Sequence, residues 1–239
     1  MRGYLFLLPI FLAIWSIVGV WTVFGLAVVN EAVNISQVFP YISNCGAEPP
    51  QSCVFSQVLN VGAATVASIC ILRYYQLQDW GLRKRPNQAI LCSGLLCALG
   101  TSIVGNFQHQ HQRPTHLTGA FMAFFVGVSY FWLQLLFLRG LKTEPRLGAP
   151  WLQPLRLGLC SVGSVLMVAM VVLHVRGLRS AGAGCEWAAA TILFALFGLL
   201  AVDFSDLQRC TLQLLPRSGA CPGPCAPSSL QQLPPPEAF

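Results

Sequence analysis

Charge is what this chain has least of. Only 9% of its 239 residues are Asp, Glu, Lys or Arg, against 55% hydrophobic, and its mean hydropathy is +0.63. A water-soluble domain carries about a quarter charged residues. So little charge cannot cover a water-facing surface, so lipid must take the place of water over most of this one. Strict alternation of apolar and polar residues is absent too, which argues against a membrane β-barrel. There is no Gly-rich phosphate loop, no nucleophile beside a base at membrane depth and no pair of carboxylates within reach of each other. No catalytic residue, cofactor or metal site is therefore assigned, and no Cys/His spacing resembles a zinc site.

What the chain has instead is six long apolar runs: Leu5–Val29, Cys53–Leu72, Ile90–Phe107, Leu117–Leu138, Leu157–Val175 and Trp187–Val202. A helix needs about 20 apolar residues to cross the hydrocarbon core. The expected fold is an all-α membrane protein, a six-transmembrane-helix bundle over residues 1–209. Its first run is too long for the apolar region of a cleaved signal and lacks a small-residue cleavage pattern, so it reads as a retained helix. Residues 210–239, which contain "PRSGACPGPCAPSSLQQLPPPEAF", are rich in proline and small residues and read as a disordered cytosolic tail.

The few charges fall on one side. With the N-terminus in the cytosol, that side collects Arg2, Arg73, Arg83, Lys84, Arg85, Arg139, Lys142, Arg146, Arg156, Arg209 and Arg217; the other holds Arg113, Arg176 and Arg179. This is the positive-inside pattern, and an even number of spans then puts both termini in the cytosol. The net charge of +6 accordingly reports topology and contact with anionic headgroups, not nucleic acid. The bilayer is the first partner.

On the opposite, extracytosolic side lies the strip "FPYISNCGAEPPQSC", Phe39 to Cys53. Just upstream, Asn34-Ile35-Ser36 is a glycosylation sequon in the correct compartment, though close to the end of the first helix. Cys45, Cys53 and Cys185 share that compartment, where disulfides persist. A Cys45–Cys53 bridge would close a small loop around Pro49 and Pro50; Cys185 is the rival partner for either. Cys70, Cys92, Cys97 and Cys160 read as packing residues within spans. Cys210, Cys221 and Cys225 are in the tail, as palmitoylation sites or unmodified.

Ionisable groups at membrane depth are functional candidates by default. Glu186 and Asp203 are seventeen residues apart, about 26 Å along one helix. They read as helix-end anchors at opposite interfaces, each hydrated or paired. Asn60, Asn106 and Gln134 read as interhelical glue; convergence of all three on one cavity would instead support a channel or transporter. Gly119, Ala123 and Gly127 form a small-residue stripe that lets a helix approach closely, from the same chain or from a second copy, which leaves a homo-oligomer open. His109, His111 and His116 read as a hydrated loop, with weak metal binding or pH sensing as alternatives. Tyr74-Tyr75-Gln76-Leu77 matches a sorting pattern but reads as interfacial anchoring beside Trp80.

The ordered set "FPYISNCGAEPPQSCVFSQVLN", "VGNFQ", "RPTHLTGAFMAFFVGVSYFWLQLL", "CEW" and "LFALFGLLAVDFS" resembles the damage-regulated autophagy modulator and transmembrane protein 150 family, over roughly residues 1–209. The resemblance implies six spans with cytosolic termini and a constrained lumenal loop, as a lid or docking face. It also implies residence on plasma, endosomal, lysosomal and autophagosomal membranes, and a non-enzymatic role in promoting macroautophagy through membrane or cytosolic protein partners. Recruitment of a phosphatidylinositol 4-kinase complex, with Arg83, Lys84 and Arg85 against the anionic leaflet, is the alternative it implies.

Overall fold

A computed structural model describes residues 4–138 and 151–205. Arg139, Lys142, Arg146 and the tail with its three cysteines lie outside the described residues. Every regular element described is helical. Six helices are long and apolar enough to span a bilayer: Tyr4–Val29, Gln51–Asp79, Lys84–Asn106, Arg113–Leu138, Leu152–Val175 and Arg179–Phe204.

In chain order the elements are α1 (Leu7–Val29, entered by a 3-10 turn at Tyr4–Phe6), the short α2 (Ile42–Cys45), α3 (Gln51–Asp79) and α4 (Lys84–Asn106). The fourth span is α5 (Arg113–Phe121), a π-helical turn at Met122–Val126, and α6 (Gly127–Leu138). The fifth is α7 (Leu152–Val175). The last is α8 (Arg179–Gly198) and α9 (Leu200–Phe204), broken at Leu199.

Each apolar run lies inside its helix, save that Phe107 falls one residue past the end of α4, and most of the helices run on past the run's edge. Hydropathy stops at the first strongly polar residue, whereas backbone hydrogen bonding does not. Thus α3 continues through Arg73 to Asp79, and α7 begins before Arg156. The Tyr74–Leu77 sequence is consequently helical, with Gln76 and Leu77 buried, and is no free sorting peptide.

Two of the connections between helices turn on a glycine in the left-handed region: Gly81 (φ 81°) between α3 and α4, and Gly177 (φ 79°) between α7 and α8. α4 is the central helix. Its Gly105 meets Leu59 and Ser56 of α3, its Gly94 meets Cys70 and Tyr130, and its Gly100 faces Gly119, Met122 and Ala123 of the fourth span. The stripe of small residues therefore packs within the chain, against α4.

The faces turned away from the bundle are strongly apolar. On α7, Val162, Val165, Val168, Val172 and Val175 are exposed; on α1, Leu7, Phe11, Ile14, Val18 and Trp21 are. Patches of this kind are not tolerated against water, and in a bilayer they are the lipid contact. The 3-10 turn at Tyr4–Phe6 packs beside α9, so the two ends of the described bundle lie together. Below, that end is called cytosolic and the opposite one lumenal, following the charge bias.

Candidate functional site

The lumenal end is organised by the Phe39–Cys53 strip. It lies over α7 and α8 and is held there by main-chain groups. The Phe39 N–H donates to Ser180 Oγ at 3.1 Å, and Trp187 Nε1 donates to the Pro40 carbonyl at 3.0 Å. The Ile42 N–H donates to Glu186 Oε2 at 2.8 Å, and the Tyr41 hydroxyl shares a hydrogen bond of 3.0 Å with His174 Nδ1. Burial, and after it the Glu186 carboxylate, push the Tyr41 phenol above its ordinary value, so it stays neutral.

The strip also contributes to the core. Ile42 and Cys45 pack with Val20, Val23, Ala27, Phe55 and Trp187. Gly46 must be glycine, because a Cβ there would lie 2.4 Å from the Phe55 ring. The strip is thus a lid seated on the helices, consistent with one of the two roles expected of it.

The expected Cys45–Cys53 bridge is not formed; both are free thiols, as is Cys185. Cys45 is fully buried and turned into the core, its Sγ toward the Tyr41 carbonyl, while Cys53, in the first turn of α3, is exposed. Joining them would pull Cys45 out of its apolar setting. Burial pushes its thiol up to about 12, so it is not a nucleophile.

Beneath the lid is a cavity of ≈ 110 Å³. Its walls come from α1, α2, α3, α4, the fourth span and α8, and most of the lining is apolar: Leu12, Val20, Phe55, Val58, Val66 and Leu193 among others. Glu186, His116 and Ser43 bring polar groups to it, and Ser16 lines it from α1. His116 is therefore no hydrated loop residue. It is buried in α5, with Nδ1 2.7 Å from the Phe107 carbonyl. His109, outside the span, stacks edge-on against it.

The cytosolic end holds a different arrangement. Asp203, on α9, is buried, and its Oδ2 lies 2.9 Å from Arg73 Nη2 and 2.9 Å from Arg156 Nη2. Arg73 Nε donates to Gln134 Oε1 at 2.8 Å, and Gln76 Nε2 donates to the Asp203 carbonyl. Arg156 donates to the Leu199 carbonyl at 3.0 Å, and Arg73 lies 4.8 Å from the centre of the Trp80 ring. One carboxylate thus ties α3, α7 and α9 together, and Arg73 extends the link to Gln134 on α6. A void of ≈ 10 Å³ beside Arg73, Gln134, Gln153 and Arg156 is about the size of one water. The charge pattern assigned Arg73 and Arg156 to the cytosolic side and gave no sign of their inward turn.

Asn60 and Asn106 meet between α3 and α4, where Asn60 Nδ2 donates to Asn106 Oδ1 at 2.9 Å, and Ser56 and Ser102 complete the cluster. Gln134 is with Arg73 instead. The three do not converge on one cavity, and the support a channel would have drawn from them is gone. Asn34 is exposed, and its Oδ1 accepts the Ser36 N–H at 3.1 Å.

These features define a helical multi-pass membrane protein with a lumenal lid, an apolar cavity beneath it and a charge-tied cytosolic end. The chain belongs to the Frag1/DRAM/Sfk1/Cwh43P N-terminal domain family, whose pattern matches residues 4–207. Among its relatives is the Modulator of macroautophagy TMEM150B of Bos taurus, 66% identical over 96% of this chain and 98% of that protein. The protein of the same name from Homo sapiens is 64% identical over 96% and 98%. Transmembrane protein 150A of Mus musculus is 30% identical over 95% and 98%. No solved structure matches the chain.

Proposed function

We propose that this chain is a non-enzymatic membrane protein that promotes macroautophagy, acting from plasma, endosomal, lysosomal or autophagosomal membranes. The observation that carries the reading is the identity of 66% over nearly the whole of both chains with a relative named a modulator of macroautophagy. The geometry is compatible with it, since the polar side chains at depth are used to hold helices together.

The test is autophagosome number in cells expressing the protein, with and without a block of lysosomal degradation. A rise that persists under the block is the expected result and means increased formation. A rise only without the block means slowed clearance and removes the promoting role. No change in either condition moves the reading to the phosphoinositide adaptor.

A further inference from the structure

The cavity beneath the lid has a composition that defines an occupant. It extends along α8 from Glu186 to Phe197, about 16 Å at the rise of an α-helix. A volume of ≈ 110 Å³ excludes a two-tailed lipid and leaves room for only a short alkyl chain. Apolar cavities of comparable size, about 150 Å³, stay dry and take up hydrocarbon. This one sits in a protein surrounded by amphiphiles.

The polar groups lie toward the lumenal end, and both principal ones have an acceptor to spare. Glu186 accepts one hydrogen bond through Oε2, from the Ile42 N–H, and Oε1 has no protein partner. Among the described residues the only ion pairs are the two on Asp203, so Glu186 has no cationic side chain against it. A carboxylate at the edge of a low-dielectric cavity is costly without a counter-charge. For His116, the carbonyl of Phe107 can only accept, so Nδ1 carries the hydrogen, leaving the Nε2 lone pair free.

We propose that this cavity binds a single-chain amphiphile with a protonated amine and a neighbouring hydroxyl in its head, a short-chain amino alcohol. The ammonium sits against Glu186, the hydroxyl donates to His116 Nε2, and the alkyl chain runs between α1, α3, α4 and α8. A fatty acid of the same length is excluded by like charge at Glu186. The site stands independently of the role in autophagy.

The experiment uses the full chain in phosphatidylcholine nanodiscs and two photoreactive, clickable probes of equal chain length, one an amino alcohol and one a fatty acid. The amino alcohol probe should label at least tenfold more strongly, and excess unlabelled amino alcohol should suppress the signal. Glu186→Gln should lose that labelling at least tenfold at unchanged melting temperature, because the glutamine carbonyl still accepts the Ile42 N–H. Gly62→Leu should abolish it: a Cβ there has its nearest neighbours, Leu12 Cδ1 and Ser16 Oγ, at 4.0 Å, so the added side chain grows into the cavity. Ala120→Leu fills it from the opposite wall if the first variant fails to fold. Equal labelling by the two probes, or labelling indifferent to Glu186→Gln and to both filling variants, would overturn the proposal and mean adsorption from the bilayer.

Discussion

Asp203 is the residue on which most depends. Its carboxylate faces two guanidinium groups and is almost wholly shielded from water. Removing one partner from a buried ion cluster leaves charge uncompensated, at a cost of about 3–5 kcal/mol. Asp203→Ala should lower the melting temperature in detergent by a corresponding margin; a melt superimposed on that of the parent chain would show the cluster contributes nothing. Cys45 and Cys53 differ by burial alone. A membrane-impermeant maleimide should modify Cys53 in the folded protein and reach Cys45 only after denaturation. His109 gives a pH dependence. Burial, followed by the nearby His116, lowers its pKa from the ordinary 6.5, so as pH falls through 6.5 the unfolded chain takes up the proton first. Stability should therefore decline below about that pH, and His109→Gln should flatten the decline. None of these environments was visible in the sequence. Periodicity places a residue on a helix, but whether Arg73 turns toward lipid headgroups or toward Asp203 depends on α9, which is remote in the chain.

Elements were the most legible scale. All six spans follow from the apolar runs because a bilayer leaves a continuously apolar segment little choice but helix. Their ends were less legible, since an interfacial turn of helix looks the same in composition as a loop. The packing of α4 shows how little room the interior has. A Cβ on Gly100 would lie 2.6 Å from the Gly119 carbonyl and 2.7 Å from the Ala123 nitrogen, both main-chain atoms, whereas one on Gly158 meets nothing within 4 Å. Gly100→Ala should destabilise by about 1–3 kcal/mol and Gly158→Ala scarcely at all, measured as paired thermal melts. The Asn60–Asn106 contact between α3 and α4 is weaker. Asn60→Leu should cost about 0.6–2 kcal/mol, and a cost well above that range would imply a further role for the amide.

At the scale of the whole molecule, topology follows from the charge bias, and the glycosylation sequon tests it. Asn34 is exposed five residues beyond the end of α1. Expressed in mammalian cells, the protein should carry one glycan removable by a peptide N-glycosidase, and Asn34→Gln should run at the deglycosylated position. Mobility unaffected by the enzyme would mean that the site is too near the bilayer or faces the cytosol. The candidate site was legible only in part. The strip and Glu186 stood out as unusual residues, but that they meet, and enclose a cavity with His116, depends on tertiary packing that no local pattern encodes.

That meeting sets the order in which the molecule can be made. The hydrogen bonds seating the lid join residues 133 to 147 positions apart in the chain. The ribosome therefore delivers the strip to the lumen long before α7 and α8, the helices that receive it, are inserted. Until then the strip lacks the groups that seat it, the cavity lacks its α8 wall, and Cys45 lacks Trp187 from its packing. The last helix supplies all of these but His174, so a chain truncated after Leu178 should show Cys45 more reactive to lumenal thiol reagents than the full chain does.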